Sequence, residues 1–212
     1  MVLNDENKKI CMLGGTAVGK TCLGERFVMR DKYIHTNMNE STIGASFKRI
    51  YYTDSDGRNH IFNLWDTAGQ ERYKSLAPMY YRKSGAVIIV YDVTQPSSWE
   101  EAKYWYNSVK YLCDDHDTFI IMIGNKTDLR EHTHVKATEV ADFCNFYNLK
   151  HFECSVKTGY NIEEILAYLC SELYSKEIDG EFVDARLSSR TNSIVSLNEE
   201  EKDNCNTNIC GC

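Results

Sequence analysis

Hydrophobic and polar positions along the chain fall into short segments whose period switches back and forth, and these predict an ordered series of strands and helices. Ile10–Leu13 is an apolar run that ends in Gly14-Gly15, which reads as a strand feeding a loop. Gly19–Met29 follows, with Leu23, Phe27 and Val28 at helical spacing. Ile43–Thr53 and Asn59–Trp65 alternate around Asp54-Ser55-Asp56-Gly57, the pattern of a β-hairpin. Ala86–Tyr91 and Phe119–Ile123 are unbroken apolar runs, as expected of strands buried on both faces of a parallel sheet. Between them Ser97–Leu112 predicts a helix, with Ser97 or Ser98 as N-cap and Glu100-Glu101 in the first turn. Val135–Tyr147 predicts another helix, His151–Cys154 a last strand and Ile162–Tyr174 a last helix. Such alternation predicts an α/β fold with a mostly parallel sheet and helices on both faces.

After about Lys176 the period disappears. Ser, Asn, Asp and Glu dominate, and such a segment buries too little apolar surface to offset its ordering entropy, so residues 176–212 are expected to be a disordered tail. The whole chain is 42% hydrophobic and 26% charged, an ordinary globular composition, with residues 1–7 expected as an extension and 8–175 as the folded unit. A formal charge of -7 argues against nucleic acid as the main partner. The nine cysteines are odd in number, scattered through predicted elements, and preceded by a polar stretch, Met1–Lys9, without a signal-peptide core; reduced thiols and a cytosolic chain are expected. Val2 does not suit N-myristoylation, and no run is long and apolar enough to span a bilayer.

Gly14-Gly15-Thr16-Ala17-Val18-Gly19-Lys20-Thr21 matches the phosphate-loop pattern between a strand and a helix. The glycines let backbone N–H groups curl around a phosphate, and the helix N-terminus adds partial positive charge. Lys20 can reach the β- and γ-phosphates, and the Thr21 hydroxyl can bind Mg²⁺. Alone, the loop indicates a nucleotide and no more.

Four further motifs follow in order. Ser41-Thr42-Ile43-Gly44, Trp65-Asp66-Thr67-Ala68-Gly69-Gln70-Glu71, Asn125-Lys126-Thr127-Asp128 and Ser155-Val156-Lys157 resemble the first switch, second switch and base-binding motifs of the Ras-like GTPases, over residues 8 to 175. The resemblance implies a P-loop G domain with a six-stranded sheet, GTP or GDP as ligand, and Mg²⁺ held by Thr21, Thr42 and Asp66. It implies catalysis by Gln70, which orients water, with Lys20 and the Gly69 N–H at the γ-phosphate. Asp128 would accept from the two adjacent guanine donors that adenine lacks. Asn125 would reach N7, Val156 would offer its N–H to O6, and the Lys126 and Lys157 stems would cover the base faces. Gly15, Thr16, Ala17, Val18, Gly19, Cys22, Leu129 and Ser155 complete the implied nucleotide contacts. Tyr33 is the candidate for a ring on guanine, with a displaced Tyr33 as the alternative.

Within that superfamily, Thr42-Ile43-Gly44-Ala45-Ser46-Phe47, Gln70-Glu71-Arg72-Tyr73 and Met79-Tyr80-Tyr81-Arg82 resemble Rab proteins, and Ala17 with Ser75-Leu76-Ala77-Pro78-Met79-Tyr80-Tyr81 resembles their early-endosomal branch. The resemblance implies an effector face of Phe47, Trp65 and Tyr80, the alternative being three core residues. It implies geranylgeranyl groups on Cys210 and Cys212 of the terminal Cys-Gly-Cys, two chains being enough for stable anchoring. Implied partners are an exchange factor, an activating protein, a dissociation inhibitor, an escort protein and effectors. The implied setting is a monomer on the cytoplasmic face of an intracellular membrane, the early endosome, cycling through cytosol.

Three features depart from the family pattern. Residues 22–41 are longer than is usual before the switch threonine, Val156 replaces the usual Ala, and Lys83-Ser84 stands where Gly is commoner. Two other readings stay open at this point: a GTP-dependent scaffold that no longer hydrolyses, and a P-loop kinase, which would need an Arg-rich lid and leaves the guanine motifs unexplained.

Overall fold

A computed structural model describes residues 8–36, 41–113 and 118–174. Among them, six strands form one sheet: β1 (Lys9–Gly14), β2 (Ala45–Thr53), β3 (Asn59–Thr67), β4 (Ala86–Asp92), β5 (Phe119–Asn125) and β6 (Lys150–Glu153). Their spatial order is β2-β3-β1-β4-β5-β6. The β2–β3 pair is antiparallel, in register from Ala45 opposite Thr67 to Thr53 opposite Asn59; every other pair is parallel. The five α-helices among the described residues are α1 (Lys20–Met29), α2 (Ala77–Tyr81), α3 (Pro96–Cys113), α4 (Ala137–Phe146) and α5 (residues 162–174). None is long and apolar enough to cross a membrane.

The unbroken apolar runs behave as their pattern requires. All seven residues of β4 are buried, because helices cover both faces of the central strands. On one face Cys11, Leu13, Val87, Ile89 and Tyr91 pack with Trp99, Trp105 and Val109 of α3 and with Val140 and Cys144 of α4. On the other, α1 lies so close to the sheet at Gly24 that a Cβ there would press on Leu64 and Met12. Tyr168 of α5 meets Phe119 and Phe152 edge-on or tilted. The hairpin turn forms as expected: Asp54 Oδ1 accepts from the Asp56 and Arg58 N–H groups, both at 2.9 Å, and Gly57 takes φ 79°.

Two local expectations are corrected. Helix α3 starts at Pro96, whose ring suits a first helical position, so neither serine caps it and Glu100-Glu101 falls beyond the first turn. Ser98 is instead buried: its hydroxyl accepts from the Asp92 N–H and lies within hydrogen-bond reach of the Asp92 and Gln95 carbonyls. The segment after Gln70, with no predicted element, forms a 3-10 turn (Glu71–Leu76) and the five-residue α2.

Candidate active site

The motifs sit at the C-terminal ends of β1, β3, β5 and β6, where an open α/β sheet leaves a crevice. The phosphate loop leaves β1 at Gly14 and enters α1 through Gly19, whose φ of 98° is a left-handed value. A Cβ at Gly19 would also run into the Asn125 side chain, so the position requires glycine twice over. Ala17 holds φ 62° without being glycine, a conformation that costs on the order of 1–3 kcal/mol and that the surrounding structure must impose. The first turn of α1 carries no acidic side chain, so its backbone N–H groups keep their pull on an anion.

Lys20 is buried and its ammonium donates to the carbonyls of Gly14 (2.9 Å) and Gly15 (2.6 Å). Burial pushes its pKa down to about 8, against the opposing pull of Asp66 and Glu101. Beside it the Thr21 and Thr42 hydroxyl oxygens lie 2.9 Å apart. Asp66 is fully buried, and neither of its carboxylate oxygens has a regular hydrogen-bond partner among the described residues. Burial raises its pKa, with Thr21, Lys20 and Lys48 pulling the other way. A buried carboxylate without a regular hydrogen bond is costly, and a hard divalent cation taking oxygen from Asp66 and the two threonines would relieve it. The donor set fits Mg²⁺.

On the other side of the crevice, Asn125 ends β5. Its Nδ2 donates to the Val18 carbonyl (2.9 Å) and its Oδ1 accepts from the Val156 N–H (3.2 Å). Asp128 Oδ1 accepts from the Ser155 hydroxyl at 2.7 Å, which fixes the carboxylate. Lys126 has φ 69°, and its ammonium lies 2.6 Å from the buried Asp92 carboxylate. That contact stretches the Lys126 stem over the surface where a flat ring could lie.

These elements enclose a cavity of about 470 Å³, a volume suited to a nucleotide-sized ligand. Of the expected residues, Thr16, Ala17, Gly19, Lys20, Thr21, Cys22, Thr42, Gly69, Gln70, Asn125, Lys126, Asp128, Leu129, Val156 and Lys157 line it. Gly15, Val18, Asp66 and Ser155 do not line it; the first two and Ser155 touch residues that do, Lys20, Asn125 and Asp128. Tyr33 does not line the cavity: it is 8% exposed, its hydroxyl is 3.2 Å from His35 Nδ1, and the Arg26 guanidinium lies over its ring. Ser41 and Thr67, which belong to the quoted switch motifs but were given no role there, also line the cavity, as do His35 and Thr36, which only their place before the first of those motifs could have flagged. Glu101 is a further addition. It presses against Gly15 and pairs with Lys74 at 2.8 Å, which ties α3 to the segment after Gln70.

Gly69 sits where a Cβ would collide with the Gly15 carbonyl and the Lys20 ammonium, so backbone there can come close to whatever Lys20 binds. Gln70 follows, with its Oε1 accepting from Arg72 Nε at 2.6 Å.

The model of the Ras family matches residues 9–175. The chain is 40% identical over 168 residues to the GTP-binding protein ypt5 of Schizosaccharomyces pombe, covering 79% of this chain and 78% of that protein. It is 42% identical over 169 residues to the GTP-binding protein YPT53 of Saccharomyces cerevisiae (76% and 74% covered), and 38% over 167 residues to the Ras-related protein Rab5A of Oryza sativa (79% and 80%). The chain belongs to the Ras family, in its Rab branch. Its Ypt5- and Rab5-type relatives place this Rab with the early-endosomal group.

In this Rab the three expected effector rings touch in sequence: Phe47 to Trp65 at 5.6 Å between centroids, and Trp65 to Tyr80 at 5.7 Å. Phe47 is half exposed on edge strand β2, and the other two are partly buried against the α3-side core. Cys210 and Cys212 lie outside the described residues.

Proposed function

We propose that this Rab hydrolyses GTP to GDP and phosphate and uses the difference between the two states to recruit effectors at an endosomal membrane. The observation that carries the reading is the convergence on one cavity of the phosphate loop, the buried Asp66 beside the Thr21–Thr42 pair, and the Asn125–Asp128–Val156 group. Asp128 accepts from guanine N1–H and N2–H, Val156 N–H faces O6, and Lys126 and Lys157 cover the ring. Lys20 and the loop N–H groups hold the β- and γ-phosphates. Thr21, Thr42 and Asp66 would hold Mg²⁺, which supplies charge neutralisation at the phosphate oxygens when bound.

Gln70 orients a water for in-line attack, and the Gly69 N–H faces the γ-phosphate. The water oxygen bonds to phosphorus, the bond to the bridging oxygen breaks with its electron pair left on GDP, and the water proton leaves with phosphate. Thr42 would join the metal site only while the γ-phosphate is present, which would make the loop leading into it a switch. No arginine in the described site plays the finger role, so turnover unaided should be on the order of 10⁻⁴ s⁻¹, rising about 10³–10⁵-fold with an activating protein, as for Ras.

Residues 8–175 form the G domain and residues 1–7 an extension. Residues 176–212 form a tail that carries geranylgeranyl groups on Cys210 and Cys212 to the cytoplasmic face of the early endosome. A monomer that cycles through cytosol needs the exchange factor, dissociation inhibitor and escort protein of its class, and Phe47, Trp65 and Tyr80 present the effector face. Single-turnover phosphate release from GTP-loaded protein tests the reading. Slow release that Gln70→Leu abolishes supports it, and tight GTP retention without release in either protein leaves a scaffold.

A further inference from the structure

The end of the β2–β3 hairpin remote from the cavity carries a second group of chemically capable side chains. Asp54 closes β2, His60 opens β3, and Cys170 projects from α5; one ligand atom from each lies within 4.8 Å of the other two. Asp54 is held for this arrangement. Its Oδ1 is occupied by the Asp56 and Arg58 N–H groups, which turns Oδ2 to His60 Nε2 at 2.7 Å. His60 is 9% exposed and Cys170 5%, whereas Asp54 keeps an edge toward solvent, its side chain 21% exposed.

We propose that Asp54, His60 and Cys170 form a zinc site that joins the hairpin to α5. A buried cysteine by itself is a small hydrophobe. Here the sulfur meets a carboxylate–imidazole pair, a mixed S, N and O donor set that suits Zn²⁺ and is too soft for Mg²⁺ or Ca²⁺. Ligand bonds of about 2.0–2.3 Å in a tetrahedron put ligand atoms roughly 3.3–3.8 Å apart. The cluster therefore needs to draw the sulfur in by about 1 Å and let the Asp–His contact open by about half that. Binding deprotonates the thiol, releases that proton to solvent, and leaves carboxylate, thiolate and Zn²⁺ with no net charge. The backbone N–H groups on Asp54 Oδ1 orient the carboxylate as an outer shell of hydrogen bonds does in zinc sites. Water takes the fourth position on the exposed Asp54 side. Arg30, which lies over the Tyr52 ring, is paired with Glu163.

The test uses the full chain loaded with Mg·GDP, with Cys205, Cys210 and Cys212 changed to serine so that tail thiols do not contribute. One equivalent of Co²⁺ should give a thiolate-to-cobalt charge-transfer band with tetrahedral visible bands, bleached by one equivalent of Zn²⁺. Cys170→Ser should abolish the charge-transfer band, and His60→Gln and Asp54→Asn should weaken cobalt binding at least tenfold. Saturating Zn²⁺ should raise Tm by about 5 °C in the parent and leave Cys170→Ser unmoved. No band, or a band that survives Cys170→Ser but is lost in Cys22→Ser, overturns the proposal. Alkylation of Cys170 in the unsubstituted chain, located by mass spectrometry, needs no folded variant: Zn²⁺ should slow it at least tenfold, and an unchanged rate also overturns the site.

Discussion

Asn125 Nδ2 donates to the Val18 carbonyl at 2.9 Å, so the last residue of β5 grips the phosphate loop across 107 positions of sequence. The same side chain accepts from Val156 N–H, and the two ends of the nucleotide cavity are thereby braced by one amide. Asn125→Ala removes both bonds and leaves a buried carbonyl and a buried N–H unpaired, at about 1–3 kcal/mol each. Release of a fluorescent GDP analogue, followed by stopped flow, should speed up by about 10–10³-fold.

Asp128 is oriented by the Ser155 hydroxyl and lines the cavity, and the proposed function gives it the guanine edge. Asp128→Ala should collapse the preference for GTP over ATP, which a positioned polar partner can set at about 10⁴–10⁵. Competition binding with the two nucleotides checks this; undiminished discrimination would sink the role given to Asp128.

Lys20, with its pKa pushed down to about 8 before any phosphate arrives, imposes a pH limit on loading. The ammonium form binds phosphate, so affinity is full below that pH and falls as pH rises through it, until the raised pKa of the bound state is reached. GTP affinity of nucleotide-free protein, titrated from about pH 7 to about pH 9, should decline by roughly tenfold. Lys20→Met should bind weakly at every pH and lose this slope.

Gly69→Ala would drive a Cβ into the Gly15 carbonyl and the Lys20 ammonium. Lys20 can swing aside, but the Gly15 carbonyl is backbone, so the phosphate loop and the Gly69 segment must move apart, and a misplacement of about 1 Å at groups that hold the phosphate costs about 10²-fold in rate. Single-turnover hydrolysis should fall by that order, with guanine selectivity unchanged because the Asp128 end is untouched.

His151 lies inside the β6 edge with Nε2 3.0 Å from the Tyr91 hydroxyl, and burial lowers its pKa from 6.5 to about 4. The unfolded chain therefore binds the proton first. Stability is intact above about pH 6.5, falls between there and about pH 4, and levels off below, with a total on the order of 3 kcal/mol. Urea unfolding across that range should show the slope, and His151→Leu should flatten it.

Strands and long helices were legible in the sequence because burial on both faces writes itself as unbroken apolar runs, as in β4, and the hairpin because Asp54 and Gly57 carry its turn chemistry. The start of α3 was not, because Ser98 spends its hydroxyl on Asp92 in tertiary structure rather than on a cap. The five residues of α2 are too few to display a period, and only Pro78 marks them. In the site, the contiguous motifs announced themselves, since each needs its residue types at fixed local spacing. Glu101 and His35 did not, for their nearness to the loop and cavity is set by the packing of distant segments. Tyr33 shows the limit of counting along a lengthened segment: Arg26, seven positions earlier, lies over its ring.

The β2–β3 hairpin is a beam. Nine residues per strand span about 30 Å, and nine cross-strand pairs run in register from Ala45 opposite Thr67 to Thr53 opposite Asn59. One end is continuous with Thr42 and Asp66, and the other is seated against Cys170. The hairpin therefore joins the nucleotide end of the sheet to the Asp54–His60–Cys170 cluster through one unbroken set of strand pairs, so the two ends of the domain share a single element.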